Sequence, residues 1–196
     1  MPIIFHELIP GNAGNAGYAI AKELACQTAI HFNAVANLGL GIANASCRAA
    51  VAVQANPGLG LPNANDIFGA VMPFAIIYGN SQFAAGGLAM GMGNGALGGH
   101  AERAALTAAN GLPLYIIPDT TNAVLFVELS PCQGCFHWLN GINGVGVPNP
   151  YNNVINNGGA TTLNVWYAWS HPNDVDLMIA FHGMLLAHQL ANIILW

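Results

Sequence analysis

Residues 123–142 read AVLFVELSPCQGCFHWLNGI. The run AVLFVEL (123–129) is short, apolar and β-branched, which reads as a buried strand. CQGCFHWLNGI then opens a helix at residue 132. Pro131 stands ahead of its first turn, where a missing N–H costs nothing. Two cysteines, Cys132 and Cys135, therefore sit where a strand meets a helix. There the unpaired N–H groups and the positive end of the helix dipole favour a thiolate. Cys-x-x-Cys is also a metal or redox spacing rather than a disulfide framework.

Working outward, the chain alternates between helical and strand patterns. GNAGYAIAKELACQTAIHFNAVANL predicts a helix over 16–37. SCRAAVAVQA (46–55) and MPFAIIYGN (72–80) read as strands, joined by the turn-rich NPGLGLPNAND (56–66). AAGGLAMGMGNGALGG (84–99) is a glycine-rich loop with no phosphate-loop signature. HAERAALTAAN (100–110) is a helix stopped at Asn110-Gly111. An Asn-rich loop (147–159) leads to a strand, TTLNVWYAW (161–169). An Asn/Asp cap starts a long helix over 173–193. Residues 1–15 are left as an N-terminal extension of a single domain spanning 1–196. No internal repeat is present. Strands alternating with helices predict a three-layer α/β/α domain with a central mixed sheet.

Composition limits what this domain can do. The chain has 196 residues, 54% of them hydrophobic and only 6% charged, with a formal net charge of -5. Lys22, Arg48 and Arg103 are its entire basic inventory. Such a surface cannot supply the phosphate contacts that hold duplex DNA or long RNA. One unpaired base could still enter a pocket. Residues 67–101 and 177–196 carry no Asp, Glu, Lys or Arg. Pro73 and many glycines interrupt the first. The second, LMIAFHGMLLAHQLANIILW, contains polar residues and lacks basic flanks, so a packed helix is expected rather than a membrane span. So much apolar sequence favours a homo-oligomer. MPIIFHELIPGN at the N-terminus has no basic n-region and is broken by proline, so a secretory leader is not expected. A reduced, cytoplasmic setting is favoured, with a module released from an exported toxin as the alternative.

The cysteine pair has a partner upstream. GGHAERAAL (98–106) sets His100 and Glu102 two apart. A hydrolytic zinc site uses three protein ligands and keeps one position open. His100, Cys132 and Cys135 supply one imidazole and two thiolates. Residues two apart on a regular helix point away from each other. His100 and Glu102 can share a pocket only if the motif lies at the start of the helix, which GGHAE allows. Glu102 would then move a proton between water and a leaving amine.

His100-Ala101-Glu102 followed by Pro131-Cys132-Gln133-Gly134-Cys135 resembles the H-x-E…P-C-x-x-C signature of the zinc-dependent cytidine deaminase-like superfamily. The element order of helix, two strands, helix, strand, helix, strand and helix is similar as well. The resemblance implies Zn2+ held by His100, Cys132 and Cys135, with Glu102 as the catalytic proton shuttle. It implies a hydrolytic deaminase of an aminated nucleobase, cytosine-type favoured, that releases ammonia. GGHAE also looks like the deaminase modules of bacterial polymorphic toxins. The small-molecule reading takes a nucleobase or nucleoside, and the toxin-type reading takes cytosine in single-stranded nucleic acid.

Substrate contacts are expected from Asn94 in the glycine loop, from Ala101 and Pro131 inside the two motifs, and from YAWSHPND after the last strand. There Trp169 would stack on a base and His171 would touch a base edge or phosphate. Core packing at a strand end is the competing reading for Trp169. Two further readings remain beside the enzyme. One is a non-catalytic, zinc-stabilised interaction module, which needs a fourth ligand such as His137 or His171. The other is a thioredoxin-like use of Cys-Gln-Gly-Cys, which leaves His-Ala-Glu unexplained. Cys26 and Cys47 read as buried small hydrophobes.

Overall fold

The computed structural model describes residues 3–37, 46–81, 100–110, 116, 118–119, 122–139, 162–171 and 173–187. Its elements in chain order are β1 (Ile3–Glu7), α1 (Tyr18–Asn37), β2 (Arg48–Val53), β3 (Ala75–Asn80), α2 (Ala101–Asn110), β4 (Pro118–Asp119), β5 (Asn122–Leu129), α3 (Gln133–Leu139), β6 (Thr162–Trp169) and α4 (Val175–Ala187). The fold is mixed α/β, a central sheet flanked by helices. The glycine loop at 84–99, the Asn-rich loop at 147–159 and residues 188–193 of the expected last helix lie outside the described residues.

The sheet path runs β1-β6-β5-β2-β3, and the two-residue β4 pairs with β5. β5 and β6 are parallel, Asn122 opposite Thr162. β2 is antiparallel to both β5 and β3. Strand periodicity then sorts the core onto two faces. Val51 and Val53 of β2, Leu125 and Val127 of β5, and Leu163 and Val165 of β6 face α2 and α3. Ala50 and Ala52, Val124 and Phe126, and Trp166 face α1. β2 is buried along its whole length, so its residues read as an apolar run rather than an alternation.

β1 was not legible as a strand. Rather than belonging to an extension, IIFHE forms a parallel edge strand, Ile3 opposite Leu163. Its ladder partner among the described residues is β6, far along the chain, and its side chains are mostly half-buried. No local pattern marks such a strand. Phe5 packs on Phe136 of α3, with ring centroids 5.1 Å apart. On the opposite face His6 stacks on Trp166 at 4.5 Å.

Two glycines make close approaches that a side chain would prevent. Gly17 leads into α1 at φ 82°, a left-handed conformation that favours glycine. Gly79 of β3 lies under α2. A Cβ there would collide with the Ala101 carbonyl oxygen and the Ala105 backbone nitrogen. α2 meets the sheet through Ala101, Ala105, Leu106 and Ala109, all buried. Small residues on both sides bring its first turn down onto the strand. We expect Gly79→Ala to cost about 1–3 kcal/mol through overpacking and to lower the melting temperature. Thermal denaturation checks this, and an unchanged transition would contradict the packing described.

Candidate metal centre

The first turns of α2 and α3 meet at the C-terminal end of β5. His100 stands immediately before α2, and its carbonyl accepts the Ala104 N–H at 3.0 Å. It is therefore the cap of that helix rather than a residue within it. This is the geometry that lets His100 and Glu102 face one pocket. Cys132 caps α3 in the same way, its carbonyl accepting the Phe136 N–H at 2.8 Å. Cys135 lies inside the first turn of α3 and is fully buried.

The donor atoms of His100, Cys132 and Cys135 all lie within 4.8 Å of one another. Cys132 Sγ is 3.6 Å from His100 Nδ1. Bond lengths of about 2.3 Å to sulfur and 2.0 Å to nitrogen put donors roughly 3.5 Å apart around a tetrahedral zinc. One imidazole and two thiols at this spacing form a cluster capable of coordinating a metal ion such as Zn2+. Among the described residues no fourth His, Cys, Asp or Glu joins the group. His137 lies in the last turn of α3 and is not part of it.

The electrostatics suit a cation. Burial raises the Cys135 pKa, and the charge and hydrogen bond of Glu102 raise it further, followed by Cys132. With no bound cation Cys135 stays a thiol, so metal binding would displace its proton. Arg103, one residue past Glu102, faces the cluster. Burial lowers its pKa, while Cys135, Glu102 and Cys132 act in the opposite direction. Its guanidinium lies 4.7 Å from the centre of the Trp138 ring, tying α2 to α3.

A cavity of about 140 Å³ adjoins the cluster. His100, Ala101, Glu102 and Cys132 line it from the motif side, and Leu129 and Ser130 from the end of β5. Cys47 and Ser81 contribute from the ends of β2 and β3, and His171 and Val175 from the turn into α4. Glu102 is only 3% exposed. Of the substrate contacts expected from sequence, Ala101 and His171 reach this cavity. Pro131 is not among its lining residues, and Asn94 lies outside the described residues. Trp169 is turned elsewhere. It packs on Phe181 of α4 at 5.1 Å and lines a separate, smaller gap beneath that helix. It is half-buried there.

Sequence reasoning missed Cys47 and Ser81. Cys47 packs against the core as a small hydrophobe and also lines the cavity. Ser81 holds it by the backbone. Ser81 Oγ accepts the Cys47 N–H at 2.7 Å, and the Ser81 N–H donates to the Cys47 carbonyl at 2.7 Å. Burial, then Glu128 and Glu102, push the Cys47 thiol well up, so it presents a neutral S–H. Only the antiparallel pairing of β2 and β3 brings these residues together, 34 positions apart.

A scan against protein-family models, a search of curated proteins and a search of solved structures each find no match. A mixed α/β fold with a His/Cys/Cys cluster capable of coordinating a metal ion at the end of a central strand is the class that the structure defines. No helix among the described residues is long and apolar enough to cross a membrane.

We expect one metal ion per chain after zinc loading, and its loss in Cys132→Ser and Cys135→Ser. Chelation should lower the melting temperature of the loaded protein, because binding to the native state alone stabilises it. Elemental analysis and calorimetry check both.

Proposed function

We propose that this protein is a zinc-dependent hydrolytic deaminase of an aminated nucleobase, with cytosine-type chemistry favoured. The observation that carries the reading is Glu102, a buried carboxylate that lines the cavity beside the three metal-binding side chains without joining them. A purely structural zinc site is closed by four protein ligands and has no use for such a group. The resemblance of His100-Ala101-Glu102 and Pro131-Cys132-Gln133-Gly134-Cys135 to the cytidine deaminase-like superfamily supports the same assignment.

His100, Cys132 and Cys135 would hold the ion, which when bound supplies Lewis acidity that makes water a nucleophile near neutral pH. The chain's own residues do the rest. The Glu102 carboxylate takes a proton from the attacking water and delivers it to the ring nitrogen beside the amine. Water adds to the ring carbon that bears the amine. Glu102 then takes the remaining proton from the hydroxyl added to the ring carbon and passes it to the departing nitrogen, the C–N bond breaks, a carbonyl forms, and ammonia leaves. The apolar wall at Leu129 and Val175 limits competing water, and His171 stands where a base edge would arrive.

The carrier of the base follows from charge. Arg48 is 2% exposed, Arg103 is stacked on Trp138, and Lys22 lies on α1 on the far face of the sheet. No lysine or arginine lines the cavity. This supports a free heterocycle or nucleoside over a polynucleotide, which needs cations along its backbone.

The test is ammonia release from cytidine, deoxycytidine, adenosine, guanine and a single-stranded oligonucleotide, by wild type and Glu102→Ala. General acid–base groups contribute on the order of 10²–10⁴-fold. The variant should lose that much turnover on whichever substrate the wild type accepts, with its zinc retained. Bound zinc without turnover on any of the five would favour the non-catalytic interaction module.

A further inference from the structure

The proposed reaction leaves three buried ionisable groups without a role. Arg48, Glu128 and His182 are each no more than 2% exposed, in a chain with few charged residues. They meet on the face of the sheet opposite the metal cluster. Glu128 Oε2 accepts the Arg48 backbone N–H at 2.9 Å. Glu128 Oε1 pairs with His182 Nε2 of α4 at 2.8 Å. The Arg48 guanidinium stands 5.4 Å from the centre of the Phe32 ring of α1. Its Nε and Nη1 meet no acceptor. Its charge lies close enough to Glu128 to act on it.

α4 explains why such a group would sit there. Apart from Asp176 and His182 its sequence VDLMIAFHGMLLA carries no polar side chain, and Leu177 remains 58% exposed. Apolar burial is non-directional, so it cannot choose which side of such a helix turns inward. A buried donor–acceptor pair can, because any other roll leaves a carboxylate without its partner. Val175, Met178 and His182 are spaced i, i+3 and i+7, which is one face of a helix. Setting His182 on Glu128 therefore turns Val175 toward the cavity that it lines. The turn before α4 is tied to the start of that helix and to the end of β5. The Ser170 N–H donates to Asp174 Oδ2 at 3.1 Å, and the His171 N–H donates to Ser130 Oγ at 2.8 Å.

We propose that the Glu128–His182 pair is a positioning device that fixes the roll of α4 and so places the His171–Val175 wall of the cavity, setting substrate affinity rather than metal binding. Its kinetic readout rests on the deaminase reading, but its structural readout does not. Cys47 lines the same cavity from the end of β2, so its alkylation, followed as a function of pH and expressed per thiolate, reports how closed the cavity is.

The experiment compares His182→Gln with His182→Asn in the zinc-loaded full chain. Glutamine carries its amide nitrogen near the position of Nε2, and asparagine falls short of Glu128. Both are neutral amides, so a loss of imidazole packing affects both alike. Expected are a wild-type Cys47 alkylation rate by iodoacetamide in the Gln variant and a faster one in the Asn variant, located by peptide mapping. With an active substrate, the Asn variant should raise KM by about tenfold with kcat little changed, the signature of lost uniform binding. Zinc content should stay at one per chain in both. Equal alkylation in wild type and both variants, or equal acceleration in both, overturns the proposal. So does a change in kcat alone, or loss of zinc. If the wild type turns over no substrate while the Asn variant alone is alkylated faster, the positioning role stands and the deaminase reading fails. Should the Asn variant not fold, His182→Leu removes the donor within an already apolar helix. Faster alkylation in that variant supports the proposal, and an unchanged rate overturns it.

Discussion

The paired burial of β5 is the constraint on which the rest of the molecule depends. β5 is hydrogen-bonded to β2 on one side and β6 on the other. Every residue from Ala123 to Leu129 is buried. A strand held on both edges and both faces has no freedom at its end. Its last residues therefore deliver their neighbours to fixed places: Glu128 to the face under α4, Leu129 and Ser130 to the cavity, and Cys132 to the cap of α3. The cluster is rigid because the strand that leads to it is rigid.

Around that end the protein spends its scarce charge inside. Glu102 is buried against the cysteines, and Glu128 is buried on the other face against His182 and the Arg48 backbone. Buried carboxylates are costly unless partnered. Both have partners, and both lie within reach of Cys47, whose thiol they help to keep protonated. The end of the sheet thus carries negative charge on two faces with few cations opposite it. Such an environment favours a bound divalent ion and disfavours an anionic ligand. The metal-binding cluster and the lack of a basic rim at the cavity follow from the same distribution.

The glycine and alanine content belongs to the same economy of form. With Gly79 beneath it and Ala101 and Ala105 on its inner face, α2 sits close against β3. That proximity sets His100 and Glu102 over the strand ends rather than above them. α3 is fixed in turn by Trp138, which packs into the core and carries Arg103 on its outer side. The two short first turns that supply the metal-binding side chains are thereby clamped to each other as well as to the sheet.

The sequence by itself determined the order of helices and strands from α1 to α4, apart from the two-residue β4, and the three residues that come together as a cluster. Both are carried by local signals, namely periodicity and capping, and by residue types with few other uses at that spacing. Even the cap position of His100 could be inferred, since two residues apart on a helix cannot share a pocket. What only the tertiary structure decided is everything that needs a distant partner. β1 is a strand because β6 offers it an edge. Cys47 and Ser81 line the cavity because two antiparallel strands end together. Trp169 leaves the cavity because Phe181 packs against it. Glu128 and His182 meet because α4 crosses the back of the sheet. Local pattern encodes how each segment prefers to fold, whereas burial and polar pairing between remote segments are set by the packing of the whole chain.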